Sequence, residues 1–249
     1  MIAFACIAPH GDIEETAELQ AAMEELGRRC ERAQVETAIV VSPHTVHVEG
    51  HFAVVTAGRV GEIETDRELA GALLAGLREA SLPAVGVSYG GNVPAEAQMP
   101  LDWGTEIPLR FVRADRIVVV APARDLPLGA HVRAGAAIAR ATSAPSNSLL
   151  QAKRVALVAS ADNGHAHDPD GPYGFHEAAA AYDARLQELL AATPLDFLPL
   201  AELVEDAKAD SLWQLLVLQG AVGEQARAET LAYAAPTYYG MLVAEVRTP

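Results

Sequence analysis

The chain reads as an α/β protein: one mixed, largely parallel sheet flanked by helices, with its site at the C-terminal ends of the strands. Two observations predict this. Short apolar, β-branched runs alternate with stretches of helical periodicity. Three histidines each follow such a run within a few residues: His10 after 2–7, His44 after 35–41 and His165 after 155–159. Open α/β sheets bind ligands in the crevice beyond the carboxyl ends of their strands. Three imidazoles delivered to that edge point to a metal site or an acid–base site. Any one of them alone is an ordinary loop histidine; the repeated placement carries the weight.

The elements follow in order. Beyond His10, Asp12 with Glu15 has the form of a capping box. Leu19, Met23, Leu26, Cys30 and Ala33 then recur at helical spacing and predict one buried face. Residues 35–41 and 52–56 read as strands. Thr65 with Glu68 suggests a second cap, Leu69, Leu73, Leu77 and Ala80 supply a helical face, and Pro83 ends it. Residues 84–88 return to the sheet. The segment 89–108 has three glycines, three prolines and little periodicity, and reads as a long structured loop, a kind of segment that is often functional. Residues 116–121 form a strongly β-branched strand. An Ala-rich helix over 128–141 leads to a Ser/Pro/Asn break, then a strand over 154–159. A loop rich in His, Asp, Pro and Gly spans 164–174, and a helix spans 177–192. Two shorter helices are expected over 200–209 and 212–220, and final strands over 231–235 and 241–247. With no linker, repeat or low-complexity tract, residues 1–249 are expected to form one domain.

Composition narrows the function classes. With 249 residues, 51% of them hydrophobic, the chain can build a sizeable core. Its formal charge of −15, from 18 Lys+Arg against 33 Asp+Glu, disfavours nucleic acid and anionic membranes as partners. Cys6 and Cys30 fit as small buried apolar residues, without a disulfide framework. The apolar start lacks a basic n-region, and no apolar run is long enough for a bilayer, so the expected location is cytoplasmic.

Several common motifs are missing: the phosphate-binding G-x-x-x-x-G-K-[ST] and G-x-G-x-x-G loops, and the Gly-x-Ser-x-Gly nucleophile elbow. His165-Ala166-His167-Asp168 contains a His-x-His pair such as some metal hydrolases use, but no further His/Asp cluster follows it. His47 and His51 could join a metal site with His44, or be surface residues. His131 is expected to face solvent near a helix start, and His176 to be structural. Arg110, Arg113 and Arg124 are possible anion contacts.

Six segments occur in a telling order: IAPHGD (7–12), VVSPHT (40–45), LDWGTEIPL (101–109), VVVAPARDLPLGAHVRAGAAIA (118–139), SADNGH with DGPYGFHEAAAAYD (160–165, 170–183) and APTYYGMLVA (235–244). Together they resemble the class III extradiol ring-cleaving dioxygenases, of the type of the catalytic beta subunit of protocatechuate-cleaving dioxygenase, with the Memo-type proteins as relatives. The resemblance implies a non-haem Fe(II) centre with His10 and His44 as ligands and His165 as the acid–base residue. A small aromatic diol and dioxygen would be the substrates. It also implies a glutamate as third ligand near the C-terminus, where family members read Tyr-Glu-x-Pro. This chain has Tyr233-Ala234-Ala235-Pro236, and Ala234 offers no ligand atom. Asp12, Glu49 and Glu245 are the nearest carboxylates in sequence, Asp12 being better explained as a cap.

Trp103 stands where some relatives carry a histidine. It could wall the pocket or anchor the long loop. Tyr238 and Tyr239 could line an aromatic pocket or simply pack. The physics of a facial triad is sound: two imidazoles and one carboxylate leave positions open on iron, and an imidazole with an ordinary pKa near ~6.5 can take and return a phenolic proton. Two other readings remain open: a Memo-like binding or regulatory protein that lacks the third ligand, and a Zn(II)-dependent hydrolase. Homo-oligomerisation or a small partner subunit is equally open.

Overall fold

The computed structural model describes residues 1–143 and 153–248; the Ser/Pro/Asn break expected after residue 141 falls largely outside them. Within them the chain builds one open sheet of eleven strands with seven α-helices. Its centre is four mutually parallel strands in the spatial order β1 (Ile2–Ala8), β9 (Val155–Ser160), β2 (Thr37–Val41) and β8 (Arg116–Ala121). On one side β11 (Met241–Arg247) pairs antiparallel with β1, and β10 (Arg227–Ala234) closes that edge. On the other side β8 meets β5 (Ile63–Thr65) at its start and β3 (Phe52–Val55) at its end. The outlying strands are β4 (Arg59–Val60), β6 (Ala84–Val87) and β7 (Gln98–Met99).

The central strands are apolar throughout because both faces are covered, and their side chains alternate strictly between two cores. Ala5, Ile7, Ile39, Val41, Val118, Val120, Leu157 and Ala159 point to one face. Phe4, Cys6, Ala38, Val40, Ile117, Val119, Ala156 and Val158 point to the other. The second face is covered by α1 (Ala17–Arg32) through Leu19, Met23, Leu26 and Cys30, as the spacing predicted. The first carries α2 (Arg67–Glu79), α4 (Leu128–Ser143), α5 (Ala178–Ala191) and α7 (Leu212–Val222). Each fully buried Leu, Ile or Val contributes about 1.5–3 kcal/mol. The helices α4 and α7 cross at Gly135 and Gly220. A methyl at Gly135 would strike the Val217 carbonyl, and one at Gly220 the Val132 carbonyl.

Several local expectations change. The cap of α1 is Thr16, whose side chain accepts from the Leu19 amide; Asp12 instead precedes a 3-10 turn and makes no capping bond. The cap of α2 is Asp66, one residue beyond Thr65. The expected long loop holds β7 and a short helix, α3 (Trp103–Leu109), started by Asp102. Of the two short helices expected over 200–220, the first is a 3-10 turn at Leu198–Glu202 followed by the one-turn α6 (Val204–Ala207). His131 is not solvent-facing: it is fully buried, edge-on to Phe52 at 5.1 Å, and burial depresses its pKa.

Candidate metal centre

The sheet order brings the first two histidines together. The strand β9 lies between β1 and β2, so the loops after β1 and β2 close over its end from both sides. The His10 Nε2 and His44 Nε2 atoms lie 3.0 Å apart, with ring planes 83° apart. Two imidazole lone pairs cannot face each other at that distance without a positive charge between them, either a proton or a metal ion. Asp210, in the short connection before α7, aims Oδ2 at both rings, 3.4 Å from His10 Nε2 and 3.5 Å from His44 Nε2. These three residues form a group able to hold a metal ion. Their spacing is the edge length left by donors about 2.1 Å from a shared ion. The Asp210 Oδ1 atom is buried without a hydrogen-bond partner, so the carboxylate has capacity in reserve. The donor set therefore fits a non-haem metal.

The surrounding contacts orient these donors. The Ser160 hydroxyl donates its one proton to the Gly104 carbonyl, so it must accept from His10 Nδ1–H, 3.0 Å away. That commits Nδ1 as a donor to Ser160 and leaves Nε2 facing His44 and Asp210, where it would offer its lone pair to a metal ion. The Asp102 carboxylate accepts from Ser42 Oγ at 2.7 Å and from the Thr105 amide and hydroxyl, tying the start of α3 to the end of β2. Trp103, at the first position of α3, lies against His44 at 4.5 Å with its ring largely exposed. Asp162 accepts from the His10 amide at 3.0 Å and sets its other oxygen 3.5 Å from His10 Nε2.

The electrostatics favour a cation here. Burial alone would lower the pKa of His10, but Asp162 and Asp210 outweigh it and push it up to about 9. Burial alone would raise the pKa of Asp210, but His10, His44 and His165 hold it well below the usual carboxylate range. Burial raises that of Asp162, only partly opposed by His10.

His165 lies on the loop after β9, the strand that separates β1 from β2. Its Nδ1 bonds to the Asn163 carbonyl at 2.7 Å; a carbonyl only accepts, so Nδ1 carries the proton and Nε2 the lone pair. Tyr239 stacks on the ring at 5.5 Å, and Tyr238 and Tyr173 approach it at 6.0 Å. Tyr239 is buried, with its hydroxyl bonded to Asp12 and its ring filling the space a Gly11 side chain would need. Tyr238 is the more open of the pair.

Asp210 was the residue that sequence reasoning missed. It sits between two short helices, where an acid followed by serine reads as a helix start. The three carboxylates considered from sequence lie elsewhere: Asp12 is engaged by Tyr239, Glu245 is paired with Arg29 and Arg247, and Glu49 is exposed. Ala234 stands in β10 opposite Met241. His51 bonds the Glu49 carbonyl and His47 is exposed. His167 pairs with Asp183 at 2.9 Å, and His176 accepts the Ala178 amide at the start of α5. Of the three arginines, Arg124 alone reaches the centre: its Nη2 lies 4.0 Å from Asp210 Oδ2 and its guanidinium packs over Trp213.

None of the curated proteins matches the chain. Among solved structures, an uncharacterized protein from Escherichia coli K12, JW3007, is similar in fold: TM-score 0.66 at 14% identity, covering 97% of this chain and 98% of that one. The family described as the catalytic LigB subunit of aromatic ring-opening dioxygenase matches residues 7–244. With that match running through both histidine loops and into the last strand, the chain belongs to the LigB family of class III extradiol dioxygenases.

Proposed function

We propose that the protein is a metal-dependent extradiol dioxygenase that opens a catechol-type ring, with His10, His44 and Asp210 as ligands to Fe(II). One observation carries the reading: the two imidazole nitrogens and one carboxylate oxygen converge with separations of 3.0, 3.4 and 3.5 Å. Held by His10, His44 and Asp210, Fe(II) would supply Lewis acidity that makes a diol hydroxyl more acidic, and the redox chemistry that dioxygen requires.

The side chains supply the rest. The His165 Nε2 lone pair takes the remaining phenolic proton and returns it after ring opening. Trp103 and Tyr238 border the aromatic ring and limit water. Ser160 and Asp102 keep the two histidine loops closed on each other. The absence of a ligand atom at Ala234 was the main argument for a metal-free binding protein, and Asp210 supplies the missing carboxylate.

The test is anaerobic purification followed by addition of Fe(II), with metal analysis and oxygen uptake in the presence of catechols. One bound iron and diol-dependent oxygen uptake are expected, both lost in His10→Ala and Asp210→Ala. A protein that retains no added Fe(II) refutes the reading. Retention of Zn(II) with hydrolysis and no oxygen uptake assigns the hydrolase alternative instead.

A further inference from the structure

A second polar cluster lies behind His165 and takes no part in holding a metal. At its centre is Asp183, on α5, only 1% exposed. Three donors converge on its carboxylate. Oδ1 accepts the Gly164 amide at 2.8 Å, and Oδ2 accepts the His167 Nε2–H at 2.9 Å and the Tyr233 hydroxyl at 2.7 Å. Among the described residues no lysine or arginine pairs with it. A carboxylate buried this deeply is costly unless its lone pairs are filled, and here they are filled by groups from the loop after β9 and from β10.

Two of those donors bracket His165. Gly164 is the residue before it, and His167 lies two residues after. The loop is further laced to the turn before β11: the Asn163 amide donates to the Gly240 carbonyl, the Gly240 amide to the Gly164 carbonyl, and the His167 amide to the Tyr238 carbonyl. Gly240 packs directly on the Asp183 carboxylate, leaving no room for a side chain. The His165 tautomer is set by the Asn163 carbonyl, a backbone atom of this same loop. Whatever fixes the loop backbone therefore fixes which nitrogen of His165 carries the lone pair.

We propose that Asp183, with His167 and Tyr233, is the positioning residue of His165, holding the loop so that the imidazole keeps one tautomer and one orientation beside the His10–His44–Asp210 centre. The inference rests on the acid–base role assigned to His165, since Asp183 touches neither that ring nor the metal donors. A misplaced general base loses on the order of 10²-fold in rate, whereas the metal donors, built on other loops, keep their spacing.

The test reads the His165 ring directly. Nitrogen-15 NMR of the full-length protein, with His165 assigned by loss of its signals in His165→Gln, reports the tautomer without any need for turnover. The wild type is expected to show the Nδ1–H form alone. Asp183→Asn and His167→Leu are expected to show a mixture of tautomers and about 10²-fold lower kcat on a diol, with KM and metal affinity within about threefold of wild type. His167→Gln, which keeps a donor for Asp183, is expected to restore the single tautomer and most of kcat. If Asp183→Asn fails to fold, the contrast between His167→Leu and His167→Gln decides the matter. A single unchanged tautomer in a folded Asp183→Asn or His167→Leu protein overturns the proposal. If the wild type turns over no diol, the dioxygenase reading fails while the tautomer measurement still decides the role of Asp183.

Discussion

Ser160→Ala isolates the orienting bond behind the centre. Ser160 is fully buried at the last position of β9 and bridges His10 Nδ1–H to the Gly104 carbonyl. Removing the hydroxyl leaves two buried groups unpaired. At about 1–3 kcal/mol for each orphaned group, less what a rotation of His10 recovers, the expected loss of stability is about 2–4 kcal/mol. The second loss is specific to metal. Without its Nδ1 partner the His10 ring can rotate or exchange tautomers, and removal of such an orienting bond typically lowers metal affinity about 10- to 100-fold. Urea unfolding measures the first quantity, and competition with a chelator for Zn(II) or Fe(II) the second. The control is Thr37→Val, which removes a buried hydroxyl bonded to Asp66 at 2.9 Å at the opposite end of the sheet. It should cost about 1 kcal/mol and leave metal affinity unchanged. If Ser160→Ala remains folded and binds metal as tightly as the control, the account of how His10 is oriented is wrong.

Gly135→Ala should destabilise by about 1–3 kcal/mol or more, because its methyl meets backbone at the α4–α7 crossing and not a movable side chain; thermal unfolding checks this. Burial alone would raise the Asp66 pKa, but the Leu69 amide, Lys153 and Thr37 together lower it. Its contribution is therefore fully present above the ordinary carboxylate pKa near ~4 and is lost as pH falls through the lower folded value. The stability gap between wild type and Asp66→Asn, followed by denaturant melts at each pH, should close at the acid end and stay constant from pH ~6 to ~8. With Asp210 as the proposed third ligand, Ala234→Glu should bring no gain in iron affinity; a rise of tenfold or more in titrations would reassign that ligand.

The convergence of His10 and His44 was legible because the sheet advertises its strand ends: an apolar run, a proline, then an imidazole at 9–10 and again at 43–44. The alternation of strands and helices was legible for the same reason. What escaped was whatever depended on packing between distant segments. Asp210 lies on no strand, and only the docking of the largely buried α7 against β9, with Gln214 bonding the Ser160 carbonyl at 3.1 Å, brings it to the histidines. The helix α3 was hidden because seven residues containing Gly104 and Pro108 show no period. His131 looked exposed because its neighbours in sequence are polar or small, while its neighbours in space are Phe52 and the loop over it. The cap of α1 was misplaced because a 3-10 turn intervenes between Asp12 and Thr16.

The strand that separates β1 from β2 is synthesised more than a hundred residues after either of them. A nascent chain that has emerged only through its second histidine owns both imidazoles, yet has neither the spacer that sets their gap nor the acid that completes the trio. Early pairing of the first two strands with each other would have to be undone before the late strand could enter. Convergence of the trio thus becomes a signature of finished assembly, and a truncated product ending before Asp210 would lack the third donor despite carrying every histidine of the site.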